Sequence, residues 1–276
     1  MPCHHPIRAW RTPDRTTRLG REPPDAVETQ LPCGSCLGCR LDNARAWTVR
    51  CHLELKAHDA TSFTTLTYAN DPKILWKPDL QLWLKRLRKA LAPAGVRFFA
   101  TGEYGEKRGR PHYHAILFGV SENHRQLIDD TWGHGHTHTV NVTPAAIAYV
   151  AGYCQKKIGW RLTRQYDPET GELLWEPPFR LMSRRPGIGG AAREQYRNSW
   201  RTHAVLDGRK IPVPRYLHDH WKRTATAEEL EQLEYEKFKA QPRTTPTREE
   251  LKRQLAAKEA ITMARQNLRA ATRKYD

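Results

Sequence analysis

The sequence predicts an α+β protein in which an antiparallel or mixed sheet carries helices packed on one face. Three observations lead there. Between residues 61 and 157 the chain reads strand, helix, two strands, helix, strand, helix, because β-branched and aromatic runs alternate with runs whose apolar residues recur at helical spacing. The two neighbouring strands are joined by a Gly- and Arg-rich turn, which makes them an antiparallel hairpin. A chain of 276 residues with 38% apolar content also has enough hydrophobic side chain for a sizeable core.

Taken in order, residues 1–32 are rich in Pro, Arg and Thr, lack periodicity and read as an irregular arm. From Leu41 to Lys56, the recurrence of Ala44, Trp47, Cys51 and Leu55 predicts an amphipathic helix. TSFTTLTY, 61–68, is a strand. Asp79 then caps a helix whose apolar face is Leu80, Trp83, Leu84, Leu87 and Leu91; the opposing Lys85, Arg86, Arg88 and Lys89 are either solvated or placed for phosphate. VRFFATGEY, 96–104, and HYHAILFG, 112–119, are the hairpin strands. HRQLIDDTW is a short helix, HGHTHTVNV a strand, and Pro144 opens a helix over TPAAIAYVAGYCQKK. Beyond residue 165 the composition turns Pro- and Arg-rich and predicts a loop-heavy extension; after Trp221, Thr226 with Glu229 and Thr247 with Glu250 match capping boxes ahead of charged helices. Four regions result: an N-terminal arm, cysteine cluster and helix over 1–58, a core over 59–165, a loop-rich extension over 166–222 and a charged helical tail over 223–276.

Lys and Arg number 46 against 30 Asp and Glu, a net charge of +16. An excess this large favours a polyanion, because neutralising phosphates releases condensed counterions, and nucleic acid is the first candidate. No apolar run is long enough to span a bilayer and no secretory leader is apparent, so a soluble, cytoplasmic protein is expected. Without an oxidising compartment the cysteines are not a disulfide framework. Cys33, Cys36 and Cys39 form a doubled C-x-x-C, CGSCLGC, whose thiolates suit tetrahedral Zn²⁺; Cys3 is the expected fourth ligand, with His4 or His5 as substitutes. Cys51 and Cys154 sit in helical patterns and read as small core residues.

The chemistry concentrates at GRPHYHAILFG. Alternate residues of a strand share a face, so His112 and His114 stand side by side while Tyr113 points away. If the hairpin pairs residue 103 opposite 112, Glu103 joins them as a third ligand, with Glu106 in the loop as the fallback. Two imidazoles and a carboxylate hold Mn²⁺, Mg²⁺, Zn²⁺ or Fe²⁺, and alone fit an oxygenase as well as phosphodiester chemistry. The tyrosines separate these. Tyr149 and Tyr153 are one helical turn apart on one face, Lys157 continues that face, and Lys156 lies beside it. A phenol is a poor nucleophile near neutrality, but a neighbouring ammonium and a metal-polarised phosphate lower the barrier to its attack. Two tyrosines permit two consecutive strand transfers. His134, His136 and His138 share one strand face and read as polar strand residues, with substrate or metal binding as the alternative.

FTTLTY, GRPHYHAILFG and YVAGYCQKK, in that order, resemble the three motifs of the HUH endonucleases, the rolling-circle replication initiators and relaxases; the likeness covers residues 61–157. The YVAGY spacing is similar to the initiators of the microviruses, and CGSCLGC, MSRRPGIG and GRKIPVPRY are comparable to segments of the gokushovirus type, over residues 33–216. The resemblance implies a ferredoxin-like, RRM-like antiparallel sheet and an HUH endonuclease over residues 59–165. His112 and His114 would bind Mg²⁺ or Mn²⁺, Tyr149 and Tyr153 would be nucleophiles, and Lys157 or Lys156 the assisting cation. It also implies nicking of origin DNA, single-stranded or supercoiled, a 5′-phosphotyrosine intermediate, rejoining of strands, and a phage setting in the host cytoplasm. The host would supply helicase and polymerase, since no Walker-type phosphate loop is present. The competing expectation is a non-catalytic, zinc-containing nucleic-acid-binding protein whose histidines and tyrosines pack or stack on bases.

Overall fold

The computed structural model describes residues 3–14, 16–156, 163–191, 203–206, 208–239 and 246–272. Two compact units emerge, Met1–Asn43 with Phe238–Asp276, and Ala44–Lys237.

In the first unit the arm is not irregular. Strands β1 (Ile7–Arg11), β2 (Thr17–Arg18) and β3 (Val27–Leu31) form a three-stranded antiparallel sheet in the order β2-β1-β3. Its strands bury little beyond Ala9 and Trp10, so they show no strict alternation of apolar residues, and that is why the pattern escaped detection.

In the second unit, helix α1 (Leu37–Leu55, which begins in the first unit) is followed by β4 (Thr61–Thr67), α2 (Lys77–Ala90), β5 (Arg97–Tyr104), β6 (Pro111–Phe118), α3 (Arg125–Trp132), β7 (Thr137–Asn141) and α4 (Pro144–Lys156). After short strands β8 (Gln165–Tyr166) and β9 (Leu173–Trp175), β10 (Phe179–Met182) joins the main sheet, which is antiparallel throughout with order β10-β5-β6-β4-β7. The predicted loop-heavy extension thus contributes an edge strand. A hairpin, β11 (His203–Leu206) with β12 (Arg209–Pro212), precedes α5 (Arg215–Thr224), α6 (Ala227–Lys239) and, in the first unit, α7 (Arg248–Thr272). Both capping boxes form: Thr226 N–H donates to Glu229 (2.8 Å) and Thr247 N–H to Glu250 (2.8 Å), with the reciprocal bonds to each threonine hydroxyl.

Helices cover both faces of the sheet, not one. On one side α2 and α3 pack Leu80, Trp83, Leu87, Ile128 and Trp132 against Leu66, Tyr113, Ala115 and Leu117. On the other, α1 and α4 pack Trp47, Cys51, Ile147, Val150 and Ala151 against Phe99, Ile116 and Phe118. The reason lies in β6 itself, where 113–118 are all buried: a strand with two buried faces reads as a continuous apolar run and gives no sign of a solvent side. Asp79 is not the cap of α2, which starts at Lys77; its carboxylate accepts the Tyr68 hydroxyl at 2.7 Å. Arg86, on the basic side of α2, caps α3 instead, donating to the carbonyls of Thr131 (2.7 Å) and Trp132 (3.2 Å).

A buried carboxylate ties α1 to β5 and to the PGIGG segment. Glu54, 0% exposed, pairs with Arg97 and His58, and its second oxygen accepts the Gly189 N–H at 2.6 Å. Gly189 has φ +77°, and a Cβ there would lie 2.9 Å from the Arg50 carbonyl oxygen, so only glycine permits this approach. Burial pushes the Glu54 carboxyl up, but the hydrogen bonds from His58, Arg97 and Gly189 outweigh it and hold it below the usual carboxylate range. A depressed carboxyl stabilises the fold above its unfolded-state pKa and loses that contribution as pH falls through the folded value. Glu54→Gln is therefore expected to lower stability at pH 7 by about 3 kcal/mol, leaving Arg97 without its carboxylate, and to flatten the acid limb below about pH 4. Urea midpoints measured from pH 3 to 7 check this; an unchanged acid limb contradicts it.

Candidate active site

The hairpin pairs Glu103 opposite His112 and Thr101 opposite His114. Cross-strand partners share a face, so Glu103, His112 and Thr67 form one row across β5, β6 and β4, and Thr101, His114, Thr65 and His138 form the next. In consequence Glu103 Oε1 lies 3.0 Å from His112 Nε2 and 3.2 Å from His114 Nε2. The His112 Nδ1–H donates to the Arg110 carbonyl (3.2 Å), which turns Nε2 inward, and His114 Nδ1 lies 3.1 Å from the Thr65 hydroxyl.

This set fits a divalent cation. One ligand atom from each of Glu103, His112 and His114 lies within 4.8 Å of the others, and two imidazole lone pairs facing a carboxylate repel unless a proton or a cation sits among them. Burial pushes the Glu103 carboxyl up, but hydrogen bonds and charge from His112 and His114 prevail and keep it low. Burial also holds the His114 imidazole below its ordinary value. Both shifts favour cation capture, since they maintain an ionised carboxylate and a deprotonated imidazole. Glu106 lies in the turn beyond β5, outside this group.

Helix α4, opened by Pro144 and capped by the Thr143 hydroxyl accepting the Ala146 N–H (3.0 Å), presses Ile147, Val150 and Ala151 onto the sheet. Tyr149 lies off that apolar stripe. Its ring meets the His114 ring edge-on at 5.7 Å and Phe63 at 6.4 Å, and it is 45% exposed. A phenol thus stands beside the His114 imidazole with access to solvent. Tyr153 lies one turn further along α4, but its side chain and that of Lys156 are outside the described residues, as is Lys157 entirely.

Residues 61–158 match the family described as replication-associated protein ORF2/G2P. The chain is 29% identical over 254 residues to the replication-associated protein VP4 of Bdellovibrio phage phiMH2K, covering 81% of this chain and 78% of that one. It is 33% identical over 161 residues to the replication-associated protein ORF2 of Spiroplasma virus 4 (48% and 50% covered), and 29% over 152 residues to the replication-associated protein ORF4 of Chlamydia phage 1 (46% and 38%). The chain is similar to the replication-associated proteins of these phages. No solved structure matches it significantly.

The segment shared with the replication-associated family holds Glu103, His112, His114 and Tyr149. It also holds three residues that sequence reasoning missed: Phe63, stacked on His114 at 5.7 Å, Thr65, and Thr101 in the His114 row. The alternation Phe63, Thr65, Thr67 was visible in TSFTTLT, yet only the strand order tells which face it shares. Of the three further histidines, only His138 belongs to β7; His134 and His136 precede it, and His134 packs on Trp132 at 4.8 Å.

Outside that segment, Cys3, Cys33, Cys36 and Cys39 converge within 4.8 Å. The Cys33–Cys39 and Cys3–Cys36 sulfur separations are 4.0 and 3.8 Å, close to the edge of about 3.8 Å for a tetrahedron with metal–sulfur bonds of about 2.3 Å and far beyond a disulfide. Backbone N–H groups of Cys33, Cys36, Cys39 and His4 donate to these sulfurs at 3.3–3.4 Å. Burial opposes ionisation of Cys33, but N–H donors from Cys36 and Ser35 prevail and bring its thiol down to about 6, whereas burial pushes Cys3 and Cys39 up. The substitutes His4 and His5 turn instead to Glu259, at 3.7 and 2.9 Å.

Proposed function

We propose that this chain is a replication initiator that nicks origin DNA of a single-stranded DNA phage and rejoins it, with residues 59–165 as an HUH endonuclease core. The observation that carries the reading is the Tyr149 ring 5.7 Å from the His114 ring, beside the Glu103–His112–His114 group. Glu103, His112 and His114 would hold Mg²⁺ or Mn²⁺, which would supply Lewis-acid polarisation of the scissile phosphate. Tyr149 attacks phosphorus through its phenolic oxygen, the bond to the 3′ oxygen breaks, and a 5′-phosphotyrosine ester and a 3′-hydroxyl result. Tyr153 is the second nucleophile, opening the next junction while the first ester holds the end, and Lys157 or Lys156 supplies positive charge to the phenolate. Cys3, Cys33, Cys36 and Cys39 would hold structural Zn²⁺. The net charge of +16 supports DNA as the partner. Host helicase and polymerase complete replication in the host cytoplasm.

Incubation with Mn²⁺ and supercoiled origin DNA is expected to give a covalent protein–DNA band that persists in denaturant. Loss of the band in the Tyr149→Phe, Tyr153→Phe double variant supports the reading, and a band of wild-type intensity from it defeats the reading.

A further inference from the structure

We propose that a second phosphate-binding site, remote from the metal centre, lies in the cleft between the start of β5, α2 and the end of β10, and that it grips the backbone of the bound DNA strand. The cleft has a volume of about 410 Å³ and is lined by Arg88, Arg97 and Arg184 with Ser183, Val96, Phe98 and Met182. Among the described residues no carboxylate lines it; Glu54, behind Arg97, is the acidic partner, so three guanidiniums face one carboxylate.

The groups are held ready. Arg97 is fixed by Glu54 and by the Pro186 carbonyl (2.8 Å), and Arg88 by the Val96 carbonyl (3.1 Å) and by Phe98, whose ring lies 5.1 Å from its guanidinium carbon. Among the described residues Arg88 meets only neutral acceptors, the second being the Ser183 hydroxyl at 3.4 Å. Ser183 is 7% exposed, and its oxygen accepts from both Arg88 and the Phe98 N–H (3.0 Å). A hydroxyl that accepts twice retains one proton to donate, and the described residues offer it no acceptor. Arg184 is exposed, without an ion pair among the described residues, beside the cleft. Like charges held together beside an unused hydroxyl donor, in a space several times larger than a phosphate group, make an anion site. Arginine forks suit phosphate oxygens in particular.

The site accounts for Met182, Ser183 and Arg184, the start of the MSRRPGIG segment, which the nicking chemistry does not use. Arg97 and Glu103 are six residues apart on β5, about 20 Å at strand rise, so the phosphate gripped is several nucleotides from the one cleaved. This proposal rests on DNA being the substrate.

The test is equilibrium binding of a fluorescent single-stranded oligonucleotide of about 30 nucleotides as salt is varied. It compares the full chain carrying Tyr149→Phe with the same chain also carrying Arg88→Gln and Arg184→Gln. We expect affinity to fall about tenfold and the slope of log K against log salt to become shallower by about 0.7 for each phosphate that the protein ceases to neutralise. Arg184→Gln alone, at an exposed position, is expected to shallow the slope without changing the melting temperature, which keeps the test valid should the multiple variant fold poorly. Unchanged affinity and slope in the presence of tight wild-type binding overturn the cleft while leaving the nickase reading intact; absence of DNA binding by every chain overturns both. Inorganic phosphate and pyrophosphate form a separate arm. Saturable thermal stabilisation by either, lost in the arginine variants while oligonucleotide affinity stays constant, overturns DNA as the source of the phosphate.

Discussion

Replacing His112 and His114 together by alanine is expected to lower nicking by on the order of 10³-fold or more, about 4 kcal/mol of transition-state stabilisation, while salt-sensitive DNA binding persists. The separation follows from where the charges lie. The two imidazoles and Glu103 converge on one point, and removing both imidazoles would leave a lone carboxylate that cannot hold a cation against water. Binding, by contrast, is spread over an excess of 16 positive charges that the substitutions do not touch. Nicking of supercoiled DNA in Mn²⁺ and filter binding across a salt series give the two readouts. His114 is only 5% exposed, so a melting curve accompanies them, and a conservative His114→Gln chain separates loss of the ligand from loss of the packing with Phe63 and Tyr149. Wild-type nicking by a folded double variant would exclude the metal centre.

Cys36→Ser is expected to reduce zinc from about one ion per chain to a trace and to unfold the first unit locally. Cys36 serves the cluster twice, as a thiol lying 3.8 Å from Cys3 and as acceptor of the His4 and Cys39 N–H groups. A structural zinc site carries about 10–16 kcal/mol in small zinc domains, so losing one thiolate removes far more than the few kcal/mol that the sparsely buried β1, β2 and β3 can supply. Metal analysis together with hydrogen exchange at β1 and β3 reads the result. Stoichiometric zinc retained by the serine variant would rule out the four-cysteine assignment.

The parts legible in the sequence were those governed by local chemistry. The α2 stripe of Leu80, Trp83, Leu84 and Leu87, the two capping boxes, and the hairpin register that sets Glu103 opposite His112 all depend on residues close together in the chain. What escaped depends on distant partners. Strand β10 pairs with β5 from some 80 residues away, and nothing within FRLM distinguishes a fifth strand from an extended loop. The second helical layer escaped because Phe99, Ile116 and Phe118 are apolar in the same way as their neighbours on the opposite face. Phe63 and Thr65 became site residues only when β4 was seen to lie beside β6.

Glu103, His112 and His114 stand on strands paired through the middle of the sheet, not on loops. Their arrangement is therefore preorganised: the conformational entropy of assembling the group was lost when the chain folded, and an ion taken up there would require no DNA to order its ligands. Were strands exchanged twice as proposed, any adjustment between the two events would fall to the tyrosine-bearing helix, with Glu103, His112 and His114 as its fixed point of reference.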